Sequence, residues 1–167
     1  MRKPKFTFII PAHNEENVIS RCLRSVLSQQ GSYEVIVVDD GSTDGTSKVV
    51  ERFMKATKKL RMLRFSRGHS AAFARNRGAE NARGEWLIFI DADVVLEKNF
   101  LRKVAKFIED NMPLDATDYL LLSYRPKTIF QKAWACYRHK SKSIKVPQII
   151  KREVFIKLGG YDEGIFY

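Results

Sequence analysis

A chain of 167 residues, 44% of them hydrophobic, is the size of one domain and can bury a sizeable core. It has no window of ~18 or more uninterrupted apolar residues, which argues against a membrane-spanning helix. Its basic start, Met1-Arg2-Lys3, leads into an apolar run broken by Pro11, which is not a signal-peptide pattern. The formal net charge is +11, and the two cysteines, Cys22 and Cys136, have neither metal-ligand nor redox spacing, so a reduced, cytoplasmic setting is expected.

In chain order, Phe6 to Ile10 predicts a first strand, closed by Pro11. Val18, Ile19, Cys22, Leu23, Val26 and Leu27 then fall on one helical face, with Asn14 expected as the cap, Glu15 and Glu16 in the first turn and Gly31 as the stop. Tyr33 to Val38 predicts a second buried strand, followed by Asp39, Asp40 and a turn through Gly45. Val49, Val50, Phe53 and Met54 give the next helix its apolar side. Leu60 to Phe65 is a weaker third strand, Arg67-Gly68-His69 a turn, and Ser70 to Ala82 an Ala-rich helix carrying Arg75 and Arg77. Trp86 to Ile90 is a run of large apolar residues, the pattern of a strand buried on both faces, and it ends in Asp91-Ala92-Asp93.

Beyond that point Phe100, Leu101, Val104, Phe107 and Ile108 predict another amphipathic helix, and Tyr119 to Tyr124 a later strand. Ile129, Phe130, Ala133, Trp134 and Tyr137 recur at helical spacing among Lys132, Arg138 and Lys140. From Arg125 to Lys157 there are ten Lys or Arg against one acid, Glu153. Such a block suits phosphates or an anionic membrane surface, and a basic amphipathic helix within it could lie on the inner face of a membrane. Nucleic acid is the least expected partner, because no recognised binding motif accompanies the charge.

The alternation of strands and helices sets the class as α/β, a mainly parallel central sheet with flanking helices. Right-handed crossovers would bring the ends of the first, second and fourth strands to one edge, so that Asn14-Glu15, Asp39-Asp40 and Asp91-Asp93 converge on one crevice. Acids gathered there repel one another unless a cation or hydrogen-bond donors sit among them. Two carboxylates one residue apart are suited to sharing a hard divalent cation with phosphates. Neither common phosphate-cradling glycine loop is present, so phosphates would be held by a cation and basic side chains.

These stretches resemble a family-2 glycosyltransferase of the GT-A (nucleotide-diphospho-sugar transferase, Rossmann-like) fold. The matching pieces are Phe8 to Glu16, Val37 to Thr46, Ala74 to Gly78, Phe89 to Asp93 and Leu158 to Glu163. The resemblance implies a single domain with a nucleotide-sugar-binding half (1–95) and an acceptor-side half (96–167). It implies that Pro11, Ala12, His13 and Glu15 line the nucleotide, with Glu15 near the ribose. Asp40 or Asp39 would accept a hydrogen bond from the base, and Arg67 and Arg75 would touch sugar or phosphate. Asp93 would ligate Mn²⁺ or Mg²⁺, with Asp91 beside it toward the sugar or ribose and Ala92 between them. The implied reaction is inverting transfer from a nucleotide-diphospho-sugar, UDP-sugar favoured over GDP-sugar, to a saccharide or lipid-linked acceptor.

Two departures accompany the match. In the family a Glu-Asp pair, whose Asp is the usual base, follows the Gly-Gly-Tyr/Phe-Asp-Glu stretch within several residues. Here the sequence stops at Tyr167, so it is expected to be a fragment, with Glu163 a substitute base. The alternative is a non-catalytic nucleotide-sugar-binding or membrane-docking domain. Dolichyl-phosphate-mannose synthases place Gln where this chain has Val95, which argues against that branch. A sugar-1-phosphate nucleotidyltransferase would carry a Gly-rich basic loop after the first strand, and Pro11-Ala12-His13-Asn14 is not one.

Overall fold

The computed structural model describes residues 4–117 and 148–164. A six-stranded sheet has the order β3-β2-β1-β4-β6-β5. Its strands are β1 (Phe6–Ala12), β2 (Tyr33–Asp40), β3 (Leu60–Phe65), β4 (Trp86–Phe89), β5 (Ala116–Thr117) and β6 (Ile149–Lys151). The helices are α1 (Ile19–Leu27), α2 (Thr46–Ala56), α3 (Ala71–Glu80), α4 (Phe100–Asp110) and α5 (Arg152–Lys157). β1 pairs in parallel with both β2 and β4, and β2 with β3, while β6 is antiparallel to β4 and to β5. The expected α/β class and mainly parallel sheet are what forms.

Alternation along the strands divides the core. Phe8, Ile10, Val35, Val37, Trp86 and Ile88 pack under α1, α2 and α4, whereas Ile9, Ile36, Val38, Leu87 and Phe89 pack under α3 and α5. Both faces are covered, so β1 and β2 read as nearly continuous apolar runs. A polar exception, Glu34, lies at the start of β2 and is matched by the Thr7 hydroxyl, the Arg61 and Arg83 guanidinium groups and the Arg83 N–H. Burial opposes ionisation of this carboxyl, but those donors outweigh it and hold the group below its ordinary range.

Three local expectations change. Pro11 does not close β1: it pairs with Val38 inside the strand. The Ile9 carbonyl faces β4, accepting from Ile90 N–H, so the edge of Pro11, two residues on, also points to that side. β4 has ended by then, and the missing N–H costs no ladder bond. β2 runs on through Asp39 and Asp40, paired with Arg64 and Phe65. Asn14 does not cap α1, which begins at Ile19 without an acid in its first turn. The segment before the helix is a turn closed by Val18 and Ile19 N–H groups on the Glu15 carbonyl.

The strand expected at 119–124 and the basic amphipathic helix at 129–137 lie outside the described residues, as does most of the Arg125–Lys157 block. Among the described residues no helix is long and apolar enough to cross a membrane.

Candidate active site

The chain leaves β1 toward β2 on one side and returns to β4 on the other, so β1 and β4 flank a topological switch point. Ligand crevices form outside the carboxyl ends of strands at such points, because the following loops part in opposite directions. A cavity of about 310 Å³ opens there, lined by Pro11, Ala12, His13, Glu15, Asp40, Ser70, Ala71, Ala74, Asp91, Ala92 and Asp93.

The wall from β1 is braced by its neighbour loop. Asn14 takes a left-handed conformation (φ 57°), which its short polar side chain tolerates. Its Oδ1 accepts from the N–H groups of Thr43 and Asp44, and its own N–H donates to Ser42 Oγ. Glu15 N–H donates to Thr46 Oγ1, and Gly45 N–H to Glu16 Oε2. With Asn14 Oδ1 facing Thr43, its amide nitrogen lies 3.2 Å from His13 Nε2, so that ring nitrogen must accept. On its other side, His13 Nδ1–H donates to the Asp40 carbonyl at 2.7 Å.

Asp39 and Asp40 part company. Asp39 is fully buried, accepting from Ser42 N–H and the Ser47 hydroxyl with Arg64 at 3.9 Å, and it does not line the cavity. Asp40 does line it. His69 holds both of its oxygens, through backbone N–H (2.7 Å) and ring Nδ1 (2.8 Å). The His69 ring is stacked on Phe73 at 4.0 Å. Gly41 makes this approach possible: its φ is 74°, and a Cβ would sit 2.3 Å from the Arg67 carbonyl carbon.

Beyond β4, Asp91 and Asp93 are exposed and Ala92 is buried between them. Arg75 on α3 donates to Asp91 Oδ1 at 2.7 Å and lies over the Tyr161 ring. The Asp93 carboxylate has no hydrogen bond or ion pair among the described residues. Burial first, then the charges of Asp93, Asp44 and Asp91, push the Glu15 carboxyl up from its ordinary range. Burial, reinforced by Asp93 and Asp91, pushes the Cys22 thiol up to about 12, so this buried cysteine is no nucleophile.

The donor set fits a hard divalent cation: carboxylates one residue apart in a single turn, that of Asp93 without a partner among the described residues, in an acidic mouth. Among the described residues no three His, Cys, Asp or Glu side chains gather into a metal cage. A cation held here would take its other ligands from water and phosphate, as Mg²⁺ commonly does.

The remaining expected residues lie apart. Arg67 is exposed and outside the lining. Glu163 is also outside it, with Oε1 accepting from Asn76 (2.8 Å) and Arg77 (2.9 Å), bonds that lower its carboxyl below the ordinary range. Asn76 also exchanges hydrogen bonds with the Tyr161 backbone, and a Cβ on Gly160 (φ 77°) would sit 2.6 Å from Asn76 Oδ1. The Gly159–Glu163 stretch is thus clamped onto α3. Sequence reasoning missed Ser70, Ala71 and Ala74 in the lining and His69 as the partner of Asp40. Ser70 caps α3 by accepting from Phe73 N–H. A Ser directly before an Ala-rich helix is the signal that could have placed it at a helix mouth.

The pattern described as glycosyl transferase family 2 matches residues 7–158. The chain belongs to this family. It is 32% identical over 123 residues to TuaG of Bacillus subtilis, which is named for teichuronic acid biosynthesis; the match covers 72% of this chain and 49% of that protein. Glycosyltransferase AglE of Haloferax volcanii is 37% identical over 103 residues, covering 60% of this chain and 34% of that protein. The chain therefore spans half the length, or less, of these curated relatives. The fold is GT-A. It is similar to a Pyrobaculum calidifontis mannosyltransferase solved with GDP-Man and Mn²⁺ (TM-score 0.79, 24% identity, 99% of this chain and 49% of that one). It is also similar to TarS 1-349 of S. aureus (TM-score 0.73, 24% identity, 98% of this chain and 52% of that one).

Proposed function

We propose that this domain binds a nucleotide-diphospho-sugar with a divalent cation and transfers the sugar, with inversion, to a hydroxyl of a saccharide or lipid-linked acceptor. The observation that carries the reading is the cavity at the β1/β4 switch point, where Asp40 and the Asp91/Asp93 pair face one space in a family-2 chain. Asp40 is the acceptor for a base N–H, held in place by His69. Each of its oxygens takes one bond from His69 and keeps a further acceptor site, which the N–H of a base such as uracil can fill. The solved neighbours carry both GDP-Man and UDP-GlcNAc, so base choice rests on this wall rather than on kinship.

Asp93, with Asp91, would hold Mn²⁺ or Mg²⁺, which when bound supplies charge neutralisation for the departing diphosphate. Pro11, Ala12, His13 and Glu15 form the wall for base and ribose, and His13 keeps that wall fixed to β2 through the Asp40 carbonyl. Arg75 holds Asp91 and would be the basic group offered to a phosphate or sugar oxygen beside it. Transfer requires the acceptor oxygen to bond to the anomeric carbon as the carbon–oxygen bond to the diphosphate breaks, with the hydroxyl proton passing to a base. Glu163 lies outside the cavity, with Oε1 bound to Asn76 and Arg77, so we read it as a clamp.

Calorimetric titration of UDP and GDP with Mn²⁺ and with chelator tests this. Metal-dependent binding, tighter for UDP, is the expected result. Absence of binding to a folded chain would remove the donor site from the reading.

A further inference from the structure

The layer of α1 and α2 differs from the rest of the surface in how its charges are matched. Several arginines elsewhere find acids, Arg61 and Arg83 with Glu34, Arg75 with Asp91, Arg77 with Glu80 and Glu163, whereas none on these two helices does among the described residues. On α1 and α2, which pack side by side over one sheet face, Arg21, Arg24, Lys48, Arg52 and Lys55 are all exposed and make no ion pair among the described residues. Glu51 is the single acid on these two helices.

Local physics works against that arrangement. Arg21–Arg24, Lys48–Arg52 and Arg52–Lys55 are like-charge pairs at the i,i+3 or i,i+4 spacing that brings side chains together. Arg21 and Lys48 are each the third residue of their helix, beside unsatisfied N–H groups where the helix dipole disfavours a cation and favours Glu. Arg102 repeats the pattern at the third residue of α4, exposed and without an ion pair among the described residues. None of these helices has an acid in its first turn. Cations held at such cost, with no ion pair among the described residues, suit an anionic partner outside the chain.

We propose that the outer face of α1 and α2 docks on the phosphate headgroups of an anionic lipid bilayer. Two helices lying side by side present a broad face, suited to a sheet of headgroups. Their exposed apolar content is slight, Met54 at 36%, so the contact is electrostatic and does not insert. Single-stranded nucleic acid would call for aromatic platforms, but the one aromatic of these helices, Phe53, packs against the core. Docking involves no residue of the cavity and none of the Arg125–Lys157 block.

The test is sedimentation of the full chain with phosphatidylcholine vesicles, plain and with ~30 mol% phosphatidylglycerol. Binding is expected only to the anionic vesicles, falling at least tenfold as salt rises from about 50 to about 300 mM. The variant Arg21→Gln/Arg24→Gln/Lys48→Gln/Arg52→Gln should lose about fivefold per charge removed, on the order of several hundredfold together. A matched variant, Lys127→Gln/Lys132→Gln/Arg138→Gln/Lys140→Gln, should keep most of its binding. No vesicle binding by the parent chain, loss only in the matched variant, or binding to an RNA oligomer in preference to vesicles would each overturn the proposal. Independently, Lys48→Glu should raise the melting temperature. A fall would show that these helices do not carry their cations at a cost.

Discussion

The pairs Asp39-Asp40 and Asp91-Asp93 arise from the same kind of sequence, an apolar strand running into carboxylates, and the fold treats them oppositely. The first pair is still inside its strand, buried, with its oxygens taken by Ser42, Ser47 and His69. The second lies beyond β4, exposed, with Arg75 on Asp91 and no partner on Asp93. What separates them is strand length. β2 is flanked by β1 through Asp39 and by β3 through Asp40, so its acids are drawn into the sheet and must be satisfied there. β4 stops at Phe89, and its acids emerge exposed, Asp91 paired with Arg75 and Asp93 without a partner among the described residues. Asp39, shut away from the cavity, maintains shape; Asp40 is held by His69 yet still lines the cavity, and Asp93 is left free.

The largest test of that contrast is Asp93→Ala. It should leave the melting temperature unchanged and weaken Mn²⁺-dependent nucleotide binding by about a hundredfold or more, read by calorimetry. Unaltered binding would mean that the free carboxylate is not the ligand. The mirror case is Asp39→Ala. Removing a buried acid on which Ser42, Ser47 and Arg64 converge should cost about 3 kcal/mol of stability by urea unfolding, before any effect on binding.

Glu34 extends the comparison to a third buried carboxylate in β2. Because its folded value is lowered, its contribution is fully present above the ordinary value of 4.5 and is lost as pH falls through the lowered folded value. Glu34→Gln should therefore be about 2 kcal/mol less stable than the parent at neutral pH, with the gap closing toward pH 3. A gap that stayed constant with pH would assign the loss to packing. The smallest expected effect is that of Arg75→Gln. Freeing the half-exposed Asp91 from its partner should change stability by less than about 1 kcal/mol while altering nucleotide affinity severalfold.

Most of the sheet was legible because its strands are apolar runs of the right length between helical repeats. Gly31, Gly84 and the turn at Arg67–His69 mark where those repeats stop. The site was legible as a convergence: three carboxylate-bearing loops after three parallel strands can only meet at one edge. What was not legible depended on partners distant in sequence. Asn14 has every local attribute of a helix cap, but its side chain is claimed by Thr43 and Asp44, 29 and 30 residues on. Pro11 has every attribute of a strand stop, yet it is tolerated because β4 ends beside it. Ile149 to Lys151 is only three residues long, too short for any periodicity, and becomes a strand because β4 has an open edge to pair with.

The sequence by itself determined the α/β class, the order of the parallel strands' elements and the acids that would gather at their ends, because hydrophobic spacing and crossover handedness are local properties. Tertiary structure alone decided which of those acids are consumed by the fold and which remain available. That choice depends on where neighbouring strands stop and which donors they bring. Those are distances between residues tens of positions apart, and no local pattern records them.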